Sequence, residues 1–147
     1  MIRPGTASDI PVVVSMAEDF WQETIYRDEE FQPSFVSAMI QRSLDDELCV
    51  VYEYEDKVIG FVCGVKGPIL ANEDVFAGTE IALWVEPDYR GSGAGRALIE
   101  AIEARAKECQ IKYWNMVYME ASMPDEVRGL YKSMGYRLNE SLYTKVL

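Results

Sequence analysis

At 147 residues, 49% of them apolar, the chain suits a single domain able to bury about 68–70% of its unfolded surface, and a second domain would have too little core. Its 25 acidic against 14 basic residues leave a net charge of −11, and no Lys/Arg-rich run offers a stripe for phosphates, so nucleic acid and anionic membranes are disfavoured as partners. Histidine is absent and the three cysteines show no CxxC spacing, which excludes a serine triad or papain-like dyad and argues against any metal site.

No basic-then-apolar leader opens the chain, and its longest apolar stretches, "IPVVV" and "VIGFVCGV", are too short to span a bilayer. The expectation is a soluble cytoplasmic protein with buried thiols at Cys49 and Cys63. After a short extended opening, Ser8 or Asp9 can cap a helix over roughly residues 9–22, with Pro11 in its first turn. The acidic, aromatic stretch "YRDEEFQ" breaks the pattern, and "PSFVSAMIQRSL" resumes helical spacing. "ELCVVYEY" and "KVIGFVCGV" form a hairpin turned at "EDK". "GPILANEDVFAG" reads as a longer connection, then "TEIALWVE" as a third strand ending at Pro87.

From Ala94 a helix runs to near Gln110, with Leu98, Ile102, Ala106 and Cys109 on one face. "IKYWNMVYME" supplies a strand and "SMPDEVRGLYKSMGY" a short helix, with Ser122 and Asp125 as a capping box, Pro124 in its first position and Gly135 just past its end. "RLNESLYTKVL" closes the chain as a hairpin or pair of short strands. Early helices, a meander of strands, then alternating strands and helices describe a mixed α/β sheet.

"YRGSGAGRAL" stands between the third strand and the long helix. A strand entering a glycine turn that opens a helix gathers N–H groups at a positive dipole end, suited to phosphate. A P-loop requires Lys then Ser or Thr after the last glycine, whereas Gly95 is followed by Arg96 and Ala97. The dinucleotide fingerprint fails as well, since Arg96 or Leu98 falls on its last small position. What remains is Arg, two residues, Gly, one residue, Gly.

With that pattern at Arg90, Gly93 and Gly95, the chain resembles the GNAT family of N-acetyltransferases. "MIRPGTASDIP", "YEDKVIGFVCG" and "GLYKSMGYR" resemble, in order, the family's opening, its central hairpin and its penultimate helix. The resemblance implies one acyl-CoA N-acyltransferase domain over residues 1–147, with a mostly antiparallel sheet flanked by helices and splayed after the strand that precedes the glycine turn. It implies that main-chain amides of Arg90, Gly91, Ser92, Gly93, Ala94, Gly95 and Arg96 take the pyrophosphate of acetyl-CoA. The pantetheine arm would pair with the main chain of Leu83, Trp84 and Val85, whose side chains remain core.

The implied chemistry moves an acetyl group to a primary amine by direct attack in a ternary complex. A lysine-like amine of pKa about 10.4 is neutral about once in 2,500 at pH 7, a deficit of roughly 4.6 kcal/mol that a base or a desolvating pocket must offset. Strand alternation puts Glu80, Ala82, Trp84 and Glu86 on one face and Ile81, Leu83 and Val85 on the other, leaving Glu80 off the apolar face. The resemblance makes Glu80 the leading base, with Glu120 second, and Tyr131 the general acid; a solvated strand-end carboxylate and a core aromatic are the plain alternatives. Many relatives carry an Asn seven positions before this tyrosine, where this chain has Pro124, so Ser122 or a water would have to serve that contact.

The acceptor, a small molecule or a peptide amine, would be met by the first two helices and their link. There Phe20, Trp21, Tyr26 and Phe31 lie among Asp19, Glu23, Asp28, Glu29 and Glu30, a composition able to cage a cation or simply to form an acidic surface loop. The family commonly forms homodimers. The rival from another class is a non-catalytic module of the same fold that holds acyl-CoA as a sensor or docking domain.

Overall fold

Both faces of the central strands are apolar, and helices cover both. The computed structural model describes residues 1–147, which form two compact units, Met1–Val117 and Tyr118–Leu147. In the first, five strands, β1 (Ile2–Pro4), β2 (Cys49–Tyr54), β3 (Lys57–Ile69), β4 (Asn72–Val85) and β5 (Ile111–Asn115), lie side by side in chain order. Pairing is antiparallel from β1 to β4, and β5 joins β4 in parallel. The helices are α1 (Ile10–Gln22), α2 (Pro33–Asp45) and α3 (Ala94–Glu108).

Alternation along the strands builds two cores. Val50, Val62 and Val85 join Leu98, Ile102 and Ala106 of α3 in one cluster. Cys49, Val51, Phe61, Cys63 and Trp84 join Val13, Met16 and Ile40 of α1 and α2 in the other. A strand covered on both faces reads as a continuous apolar run, which is why "VIGFVCGV" shows no polar alternation.

The helix expected from residue 9 starts at Ile10 with Asp9 at its N-cap position, as expected, but Asp9 also ends a 3-10 turn and its side chain makes no capping bond to α1. Its carboxylate accepts from Thr6 N–H at 2.8 Å and from Arg3 at 2.8 and 2.9 Å. Those Arg3 bonds hold it down at a pKa of about 2. Glu55 and Asp56 turn the β2–β3 hairpin, both with positive φ as a tight I′ turn requires.

The long connection expected over "GPILANEDVFAG" does not exist. β3 continues to Ile69 and β4 begins at Asn72, with Ala71 at φ 67° in the turn, so Pro68 and the asparagine lie in one extended hairpin. Pro68 is tolerated near the strand's end, beside an irregularity in register. β5 stops at Asn115, short of the strand expected through Glu120.

Trp114 of β5 packs where two glycines remove the pleat's usual side chains. A Cβ on Gly64 would lie 2.4 Å from its ring, and one on Gly78 would lie 2.5 Å away.

The second unit centres on α4 (Pro124–Ser133). The expected Ser122–Asp125 capping box is not formed: Met123, at φ 42°, is the cap residue, and Asp125 instead bonds Arg128 at 2.8 Å. Gly135, at φ 90°, ends the helix as expected, with Tyr136 N–H donating to Tyr131 O and Gly135 N–H to Lys132 O. No strand forms beyond it, so the expected closing hairpin is absent, and Leu138, Leu142, Tyr143 and Val146 are exposed. A two-stranded ribbon alone gains too little burial to hold itself together.

Substituting Gly78→Ala should destabilise the protein by roughly 1–3 kcal/mol, since the indole must move to admit a methyl group. Urea unfolding followed by circular dichroism measures this, and an unchanged midpoint would show that Trp114 repacks freely.

Candidate active site

The parallel ladder of β4 and β5 ends at Thr79 opposite Asn115, where Asn115 Nδ2 donates to Thr79 Oγ1 at 3.2 Å. Beyond it the strands separate. Val117 N–H donates to the carboxylate of Glu80, Oε2, at 3.1 Å, so a side chain takes the donor that a neighbouring strand would otherwise receive. From Glu80 to Val85, β4 pairs only with β3.

Strict alternation does not hold at this point. Cys63 faces Ala82 and Gly64 faces Glu80, which leaves Ile81 as an extra residue in a bulge. Ile81 and Ala82 both pack against the cluster of α1 and α2, contrary to the expected division of faces. The same bulge reorients Glu80, which is 5% exposed. Burial raises its pKa to about 7, and the Val117 amide offsets that only in part. Close by, Cys63 Sγ lies 3.3 Å from Cys49 Sγ; this hydrogen bond and burial push the Cys63 thiol up, and the two buried cysteines form no disulfide.

Main-chain direction alternates along β4 as well. Glu86 N–H donates to Ile59 O, and Trp84 O lies against Gly60, so Trp84 turns its peptide groups toward β3. Antiparallel alternation then points those of Leu83 and Val85 off the unpaired edge. Of the three residues expected to pair with an extended arm, two present their backbone and Trp84 does not.

At the end of this edge a 3-10 turn, Pro87–Tyr89, leads into the glycine loop. Gly91 and Gly93 sit at φ 78° and 93°, where a side chain would be strained. The first bond into α3 runs from Ala97 N–H to Gly93 O at 3.0 Å, so the amides of Gly93, Ala94 and Gly95 precede any intrahelical acceptor. Ser92 Oγ donates to Tyr89 O at 2.6 Å and tightens the turn. Arg96 lies 3.8 Å from Glu100 along the helix. An unpaired strand edge running into a nest of amides is a cradle for an extended amide chain that ends in phosphates. The residues present fit acetyl-CoA.

The profile of the acetyltransferase (GNAT) family matches residues 13–136. The chain belongs to the GNAT acetyltransferase family. A Yersinia pestis protein named acetyltransferase is 30% identical over 105 residues, covering 70% of this chain and 68% of that one. A ribosomal-protein-alanine N-acetyltransferase from Brucella melitensis biovar Abortus 2308 superposes with a TM-score of 0.75 at 18% identity, over 100% of this chain and 99% of its own. A predicted acetyltransferase with acetyl-CoA from Clostridium acetobutylicum gives 0.76 at 19% identity, over 99% and 95%. The fold is that of these GNAT proteins, the reaction class is acetyl transfer, and acetyl-CoA is the donor the family uses. No helix is long and apolar enough to cross a membrane.

Glu120 is an exposed turn residue 3.8 Å from Arg128, not the end of a strand. Tyr131 is 7% exposed, with its ring 5.6 Å from that of Tyr136. In the last turn of α1, Trp21 stacks on Tyr26 of the link to α2 at 5.9 Å and tilts against Phe31 at 6.4 Å, so the aromatics spend their faces on one another. Phe20 meets Trp84 edge-on at 6.3 Å. Sequence reasoning missed the Val117 amide, and no side-chain pattern signals a backbone donor.

A carboxyl with a raised folded pKa binds its proton more tightly in the folded state, so wild-type stability should fall as pH rises from about 4.5 through 7. Glu80→Gln should remove up to about 3 kcal/mol of that decline. Urea titrations of both proteins at pH 5 and pH 8 measure it; parallel pH dependences would mean that Glu80 is not a strained carboxyl.

Proposed function

We propose that this GNAT acetyltransferase acetylates a primary amine, a small cationic amine or a peptide amine, by direct attack in a ternary complex, with Glu80 as base and Tyr131 as acid. The observation that carries the reading is the buried carboxyl of Glu80 where β5 leaves β4, at the head of the unpaired edge and two residues before Ala82. A base is most useful when its pKa lies near the working pH, and burial brings this one to about 7. Its carboxylate receives the ammonium proton, directly or through a water, and returns to the neutral acid that burial favours. The Val117 amide holds the charged form in one orientation meanwhile.

Acetyl-CoA supplies the acetyl group as a thioester. Leu83 and Val85 are proposed to pair with its pantetheine arm, and the amides from Arg90 to Arg96 to hold its pyrophosphate. The phenol of Tyr131 is proposed to give its proton to the departing sulfur. A unit built on one ten-residue helix is too small to sustain a core, which supports reading residues 1–147 as a single catalytic domain. The net charge of −11 and the acidic link favour a cationic acceptor.

Thiol release from acetyl-CoA across polyamines, aminoglycosides, amino acids and peptides tests the reading. With a productive amine, kcat/KM should rise with pH through a limb near 7 that Glu80→Gln abolishes. Tyr131→Phe should slow turnover by about 10- to 10⁴-fold with CoA affinity kept. Bound CoA without turnover on any amine would instead favour the non-catalytic module.

A further inference from the structure

Arg90, the first residue of the glycine loop, sends its side chain back into the protein. Nε donates to Val85 O at 2.9 Å, Nη2 lies 3.3 Å from Glu23 Oε1, and the guanidinium carbon sits 4.4 Å over the ring of Trp84. Trp84 is core and meets Phe20 of α1, while Glu23 is the residue that closes α1. One guanidinium thus joins the end of the β4 edge, the start of the glycine turn and the C-terminal end of α1.

We propose that Glu23 is a positioning residue for acetyl-CoA and acts through Arg90. The inference rests on reading the glycine turn as the CoA site. Gly91 and Gly93 give that turn its shape but no stiffness, so its geometry depends on what holds its ends. Ala94 is buried in the core under α3 at one end, and Arg90 is clamped at the other. The Glu23 carboxylate fixes the guanidinium plane over Trp84, which keeps Nε on Val85 O and sets the spacing between the unpaired strand edge and the amides of α3.

The rival role for Arg90, direct attraction of the pyrophosphate by its charge, predicts the opposite sign. Glu23 would then be neutralising a phosphate ligand, and its removal would tighten binding. In the positioning role, its removal loosens binding although Glu23 never touches the ligand. The side chains of Arg90 and Glu23 are 26% and 32% exposed, so Glu23→Ala leaves no deeply buried unpaired charge.

Isothermal titration of CoA into the wild type, Glu23→Ala and Glu23→Gln decides between them without any acceptor amine. Glu23→Ala should raise the CoA Kd about fivefold. Glu23→Gln, whose amide oxygen still accepts from Arg90, should recover most of that loss. Unchanged or tighter binding by Glu23→Ala overturns the proposal, as does a Gln variant no better than Ala. A ligand-free Tm lowered by more than about 5 °C would make the loss a folding defect and overturn it too. Failure of the wild type to bind CoA is a separate result that removes the CoA reading of the turn itself.

Discussion

One exchange of hydrogen-bonding partner shapes this molecule. As far as Asn115, β5 pairs with the backbone of β4; two residues later, Val117 N–H goes to the carboxylate of Glu80. That donor keeps the Val117 amide paired as β5 leaves the sheet, and it ties a buried acid to the point of divergence. The cost is a carboxyl held where water cannot solvate its charge, which appears as its raised pKa. The strand edge exposed by the divergence and the tuned acid at its head therefore have one origin.

The two cores make that divergence affordable in geometric terms. α3 packs Leu98 and Ile102 against Val62 and Val85 on one face, while α1 and α2 pack against Trp84 and Phe61 on the other. β4 is thus fixed by β3 and by both helical layers, and does not require a strand on its far side between Glu80 and Val85. The bulge at Ile81 reconciles two demands on the same strand: apolar side chains directed to the cores, and an acid aimed at the departing β5.

Much of this was legible in the residues, for reasons that can be named. Glycines at 91 and 93 are needed because φ is positive there, and the spacing of Arg90, Gly93 and Gly95 carried the resemblance to the family whose profile matches. Helix bounds followed from Pro33, Ala94 and Gly135, where local chemistry decides. The failures lay where tertiary contacts overrule local signals. Sheet pairing carried β3 and β4 through Pro68 and Asn72, and the Arg3–Asp9 ion pair took the carboxylate that would have capped α1. The bulge defeated alternation, because an extra residue at Ile81 depends on the register of its partner strand and leaves no mark in the composition of β4. The side chain of Arg90 illustrates the same limit: spacing placed it in the loop but could not say that it lies on Trp84.

The three tryptophans sit at three different joints. Trp84 lies beneath the Arg90 guanidinium, Trp114 on the glycine-lined patch beside the diverging strands, and Trp21 among Tyr26 and Phe31 in the link after α1. A cation over an indole face, a thioether against the Nε1–H of Trp114 and a stacked phenol are three distinct electronic environments. The indole contributions to the near-ultraviolet spectrum of this chain accordingly come from three distinct surroundings, and replacing the tryptophans one at a time by phenylalanine would turn the protein into its own set of local optical probes.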